Sequence, residues 1–140
     1  MQRPSVSPAR LAKQNGRGIG FLWLATALGW AIWMLILGTE VNPQGNWLTN
    51  LLGNRVVHAG SFLVGGMLWI HSLRRVGRLR VITAIASGSI ISFVFGVIIE
   101  GIQRNIPTRE ADPGDLVANL VGILLAIGLY VFATRSSSQK

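Results

Sequence analysis

The sequence predicts an all-α fold, a four-helix transmembrane bundle with both termini cytoplasmic. Three observations lead there. Half of the 140 residues are hydrophobic and only 13% are charged. The charges leave four uncharged gaps of 22, 18, 19 and 19 residues, together 78 residues. Each gap is near the ~20 residues that a helix needs to cross ~30 Å of hydrocarbon. All five prolines fall outside these gaps, as unbroken helices require. A soluble helix shows one apolar stripe, not an apolar circumference. The net charge of +8 therefore does not mark a soluble nucleic-acid module, and no nucleic-acid partner is expected.

The first 17 residues form a basic cytoplasmic tail with Arg3, Arg10, Lys13 and Arg17, expected to be mobile. A signal peptide also starts this way, but its apolar region spans only about 7–15 residues before a small-x-small cleavage site. Here the apolar run reaches Gly38, and Thr39-Glu40-Val41 is a poor site, so the run is read as an uncleaved first span over about 19–37. A loop with Asn42, Pro43, Gly45, Asn46 and Asn50 follows. The second span covers about 56–73, and the connector 74–80 carries four arginines. The third span runs over about 81–103. A second polar loop holds Pro107 and the turn pair Pro113-Gly114, and the fourth span covers about 116–132. The organisation is thus one membrane domain, 18–134, between the basic tail 1–17 and a C-terminal tail 135–140.

Lysine and arginine bias sets the orientation. The two tails and the 74–80 connector hold ten of the thirteen basic residues and no acid. They belong in the cytoplasm. Loops 38–55 and 103–115 then lie outside, and all five acids fall on that side, four in these loops and Glu100 near the outer end of the third span. Membrane lipids are the expected partners, with anionic inner-leaflet lipid attracting the basic connector. An oligomer is compatible with the pattern.

Helices in lipid associate through small residues. The third span offers Ala84, Gly88, Ser92 and Gly96 at four-residue steps, and the next step is Glu100. The fourth offers Asp115, Asn119, Gly122 and Ala126. The second offers His58, Ser61, Gly65 and Ser72, and the first Ala25 and Gly29. Three of these stripes end in polar residues at the outer side: His58, then Glu100 with Gln103, then Asp115 with Asn119. Ionisable groups at membrane depth are costly and often mark function. Arg55, Arg104 and Arg109 supply countercharge nearby.

Glu100-x-x-Gln103, Arg109 and Asp115-x-x-x-Asn119-x-x-Gly122 resemble the C-terminal signature of the VanZ-like membrane proteins. Asn54-Arg55-Val56-Val57-His58 is similar to that family's earlier D-K-x-x-H element, with Asn54 in place of the Asp and Arg55 in place of the Lys. The resemblance spans about 20–132 and is most specific in the second half. It implies a cell-envelope protein of the cell membrane associated with resistance to glycopeptide antibiotics such as teicoplanin.

The candidate ligand-binding set is therefore Arg55, His58, Glu100, Gln103, Arg109, Asp115 and Asn119. Glu100 would hold a proton, a cation or a cationic ligand group, or form a salt bridge to Arg104 or Arg109. The forks of Arg55 and Arg109 suit a phosphate, or else pair with acids. His58 is an acid–base or hydrogen-bonding candidate. Asp115 is read as the N-cap of the fourth span, Asn119 and Gln103 as interhelical hydrogen bonders, and Glu110 and Asp112 as solvated loop charges. His71 is read as an interfacial residue, and Gly96 and Gly122 as packing positions. His58, Glu100 and Asp115 make a conceivable metal set, but no H-E-x-x-H and no second nearby histidine supports it, so no metal or cofactor is expected. Ser61 lies inside a helix and makes a poor nucleophile. There are no cysteines for disulfide or thiolate chemistry.

The leading reading is a non-enzymatic pocket for a lipid, cell-wall precursor or glycopeptide-type ligand. The alternatives are a membrane-embedded enzyme acting on a lipid-linked substrate, or a small structural or accessory membrane subunit.

Overall fold

The computed structural model describes residues 8–39, 47–107 and 112–137, with side chains over 18–39, 49, 51–107 and 112–136. The fold is all-α. α1 spans Pro8–Thr39, the short α2 Trp47–Leu52, α3 Asn54–Arg75, α4 Val81–Gln103 and α5 Pro113–Ser137. α1, α3, α4 and α5 are long and apolar enough to cross a membrane. At ~1.5 Å per residue, the 23 residues of α4 reach about 34 Å.

Only 17% to 33% of each spanning segment is buried within the bundle. Phe21, Ile32, Trp33, Ile82, Ile90, Leu124 and Phe132 all point outward. A water-soluble monomer does not carry apolar surface on that scale, whereas lipid covers it without cost. The chain is a multi-pass membrane protein by this measure.

Two helices differ from the sequence expectation at their starts. α1 begins at Pro8, so residues 8–17 continue the helix instead of forming a mobile tail. Proline is favoured in a first turn, and Ala9, Leu11, Ala12, Lys13 and Gln14 are good helix formers. α5 begins at Pro113, inside what reads as a turn pair, for the same reason. The loop after α1 contains α2, which the sequence reading did not anticipate. Gly53 separates α2 from α3 with φ +83°, a left-handed conformation that glycine adopts without steric cost.

α3 is the central helix. It packs against α5 most extensively and also against α1 and α4. Small residues allow each approach. Gly122 on α5 lies on the backbone of Ala59 and Leu63 in α3, and Gly66 on α3 faces Ala126 of α5. Gly88 on α4 lies on the backbone of Ile70 in α3. The predicted stripe Ala84, Gly88, Ser92, Gly96, Glu100 is buried along its whole length. Ser72 and Ser92 are buried on these faces and donate to the carbonyls of Leu68 and Gly88 in their own helices, so neither hydroxyl is orphaned.

The first helix departs from the pattern. Ala25 and Gly29 are exposed, and Gly20, Ala27, Met34 and Gly38 face the bundle instead. α1 packs by a large residue set into a small one. The Trp30 indole occupies the space where Gly65 of α3 lacks a side chain, and its Nε1–H donates to Ser61 O at 3.1 Å. Trp30 also meets Phe62 edge-on at 5.6 Å and Phe95 at 5.5 Å. Met34, Phe62, Ile99 and Ile123 form the core around these rings.

Candidate functional site

The helices alternate in direction, so the end of α4 lies beside the starts of α3 and α5. His58 is in the second turn of α3, Asp115 in the first turn of α5, and Glu100 in the last turn of α4. Each is about one turn inside its helix end, and each is buried. One ring nitrogen of His58 and one carboxylate oxygen each of Glu100 and Asp115 all lie within 4.8 Å of one another. The three small-residue stripes bring them together. Gly96 leaves room for the Asn119 amide and the Phe62 ring immediately beneath.

Asn119 is fully buried and its Oδ1 is 2.9 Å from His58 Nδ1. A carbonyl oxygen only accepts, so Nδ1–H donates and the Nε2 edge of the ring faces the carboxylates. Nε2 is 3.6 Å from Asp115 Oδ2. That same Oδ2 accepts a short hydrogen bond from Asn54 Nδ2. Asp115 Oδ1 and Asn119 Nδ2 are buried with no hydrogen-bond partner among the described residues. Gln103 is buried as expected, and its Nε2 donates to Gly38 O at 3.3 Å, tying α4 to the end of α1.

Asp115 does not cap α5. Because the helix starts three residues earlier than the sequence predicts, Asp112 takes that place: its Oδ1 accepts from Gly114 N–H at 2.7 Å. Asp115 sits further in, where its carboxylate turns toward His58. Asp112 is also not an isolated loop charge. Its Oδ2 pairs with Arg55 Nη2 at 3.2 Å, on the exposed rim one turn above the buried cluster. Gly114 leaves space for the guanidinium. Arg104 is exposed and makes no ion pair among the described residues. Arg109 and Glu110 lie outside the described residues.

The Gly114 N–H bond, and next the Arg55 hydrogen bond, hold the Asp112 carboxyl below its ordinary value of 3.8. The sign follows from linkage. A carboxyl with a depressed folded-state pKa contributes stability above 3.8, and that contribution disappears as pH falls through the folded value. Asp112→Asn should therefore lower the melting temperature of the detergent-solubilised protein at pH 6, and the gap from wild type should close below pH 4. A gap that is constant with pH would show that the charge does not act.

The opposite end is basic. A cavity of roughly 620 Å³ there is lined by His71, Arg74, Arg75 and Tyr130 among others. His71 stacks on Trp23 at 4.8 Å, meets Tyr130 edge-on at 5.0 Å, and bonds Met67 O through Nδ1. It is a packing residue joining α1, α3 and α5. Nothing in the sequence pattern pointed to this cavity, because its lining comes from helix ends that share no motif.

Comparison with protein-family profiles, with curated proteins and with solved structures finds no match to this chain.

Proposed function

We propose that the chain is a VanZ-like protein of the cell membrane, both termini in the cytoplasm. Its acidic end would bind the polar headgroup of a lipid, cell-wall precursor or glycopeptide-type antibiotic at the outer face. The observation that carries this reading is the convergence of His58, Glu100, Asp115 and Asn119, from three helices, in one buried cluster beneath the rim pair Arg55–Asp112. Burying two carboxylates and an imidazole near a membrane interface is expensive, and a headgroup that uses them gives a reason to keep them. The buried carboxylates suit a cationic group of the ligand, and Arg55 and Arg109 suit its phosphate.

Two measurements test it. Glu100→Gln and Arg109→Ala should abolish any glycopeptide resistance that the wild-type chain confers on a susceptible host, at unchanged membrane levels. Full resistance in both variants would end the headgroup reading. The chain has no cysteine, so single cysteines report topology without background. Asn105→Cys should react with an impermeant maleimide in intact cells, and Ser5→Cys and Ser138→Cys only after permeabilisation. The reverse pattern would overturn the orientation.

A further inference from the structure

We infer that His58, Glu100 and Asp115 form a binding site for a divalent first-row metal ion of the zinc class. The donors come from three different helices, all three residues are buried, and one ligand atom from each lies within 4.8 Å of the others. Ligands at 2.0–2.2 Å around tetrahedral zinc are about 3.4 Å apart. The widest separation must therefore contract by about 1.4 Å, within the reach of side-chain rotation on three helices that stay in place.

Two features beyond the donor set point to a cation. First, His58 is oriented as a metal-bound histidine is. Its Nδ1–H is held by Asn119 Oδ1 at 2.9 Å, which turns Nε2 toward the carboxylates. Metal-ligating histidines nearly always donate their other N–H to a buried acceptor in this manner. His58 Nε2 and Asp115 Oδ2 face each other at 3.6 Å, too far apart for a direct hydrogen bond. A metal ion between them is coordinated by both. Second, Asp115 is 4% exposed and its Oδ1 has no hydrogen-bond partner among the described residues. A buried carboxylate oxygen without a donor is costly, and a metal satisfies it.

One imidazole and two carboxylates suit Zn²⁺ first and Mn²⁺ second. Three protein ligands leave a coordination position open for a water or an oxygen from a phosphate. The metal site stands whether or not a headgroup binds, and its test needs no lipid ligand.

The experiment uses the full chain in detergent, purified without a polyhistidine tag. Zn²⁺ is titrated against a chromophoric chelator, and Co²⁺ is added separately to record its visible ligand-field bands. Wild type and His71→Gln should each bind about one equivalent, with the bands of low-symmetry cobalt and a raised melting temperature. His58→Gln, Glu100→Gln and Asp115→Asn should each weaken binding at least 100-fold and lose the bands. Asn119→Ala, acting through His58, should weaken it about 10–100-fold. If one of the three variants fails to fold, the other two decide. Wild type binding no more Zn²⁺ or Co²⁺ than His58→Gln overturns the site. Equal binding loss in His71→Gln overturns it too, because the metal is then held elsewhere.

Discussion

Gly122→Ala is expected to destabilise the bundle by about 3 kcal/mol, the upper part of the range for overpacking a close-packed interior. A Cβ at this position overlaps the carbonyl oxygen of Ala59 and comes within 2.9 Å of Leu63 N and 3.0 Å of Ala59 C. All three atoms are backbone, so no side chain can rotate out of the way. α3 and α5 must move apart along the most extensive interface in the chain. The same movement pulls His58 from Asn119 and Asp115, whose bonds cross this interface one turn higher. Gly65→Ala collides with the Trp30 ring instead, and a side chain can yield where a backbone cannot, so its cost should be smaller. Gly128 sits on the same helix with nothing within 4 Å, and Gly128→Ala should stay within about 0.5 kcal/mol of wild type. Reversible unfolding in mixed micelles measures all three. If Gly122→Ala unfolds like Gly128→Ala, the α3–α5 approach is not as close as described.

The residues show what the sequence made legible and what it did not. The third span was read to its end residues, because 19 uncharged residues follow Arg80 and the small-residue repeat runs straight into Glu100. That repeat works as a signal when backbones pack directly, as α3, α4 and α5 do. α1 uses a different device, Trp30 set into the gap at Gly65. Its inward small residues Gly20, Ala27 and Gly38 are seven and eleven residues apart instead of four, so the four-residue pair Ala25 and Gly29 points to the wrong face. The start of α5 was missed because Pro113-Gly114 has turn composition, yet proline also suits a first helical turn. That shift moved capping from Asp115 to Asp112 and freed Asp115 for the cluster. Asn54, which departs from the D-K-x-x-H pattern, donates to Asp115 Oδ2. A carboxylate in its place would face another carboxylate. Pair geometry of that kind depends on two helices 61 residues apart in sequence and has no local signature.

The ordering of losses within the cluster should show whether it behaves as charges or as neutral hydrogen bonds. Interhelical hydrogen bonds in membranes are worth about 0.6 kcal/mol on average and at most about 2. Removing one partner of a buried ion pair costs about 3–5 kcal/mol, because the other charge stays buried and uncompensated. Asn119→Leu removes only the acceptor of His58 Nδ1–H, so it should cost about 1 kcal/mol. Asp115→Leu removes the carboxylate beside His58 Nε2, with both side chains under 10% exposed, and also the acceptor of Asn54. It should cost about 3 kcal/mol or more. His58→Leu should cost a similar amount by leaving two carboxylates together. In the double variant, an apolar pair replaces an ionic one, and the loss should be smaller than the sum of the singles by about 2 kcal/mol. A double-mutant cycle by unfolding in micelles gives that number directly. Strictly additive losses would mean that His58 and Asp115 do not interact. Asp115→Leu no worse than Asn119→Leu would mean that the cluster is a set of ordinary hydrogen bonds. Glu100→Gln separates the functional reading from a purely structural lock. A lock loses stability along with any phenotype, whereas a binding site loses the phenotype in a protein that still melts near wild type.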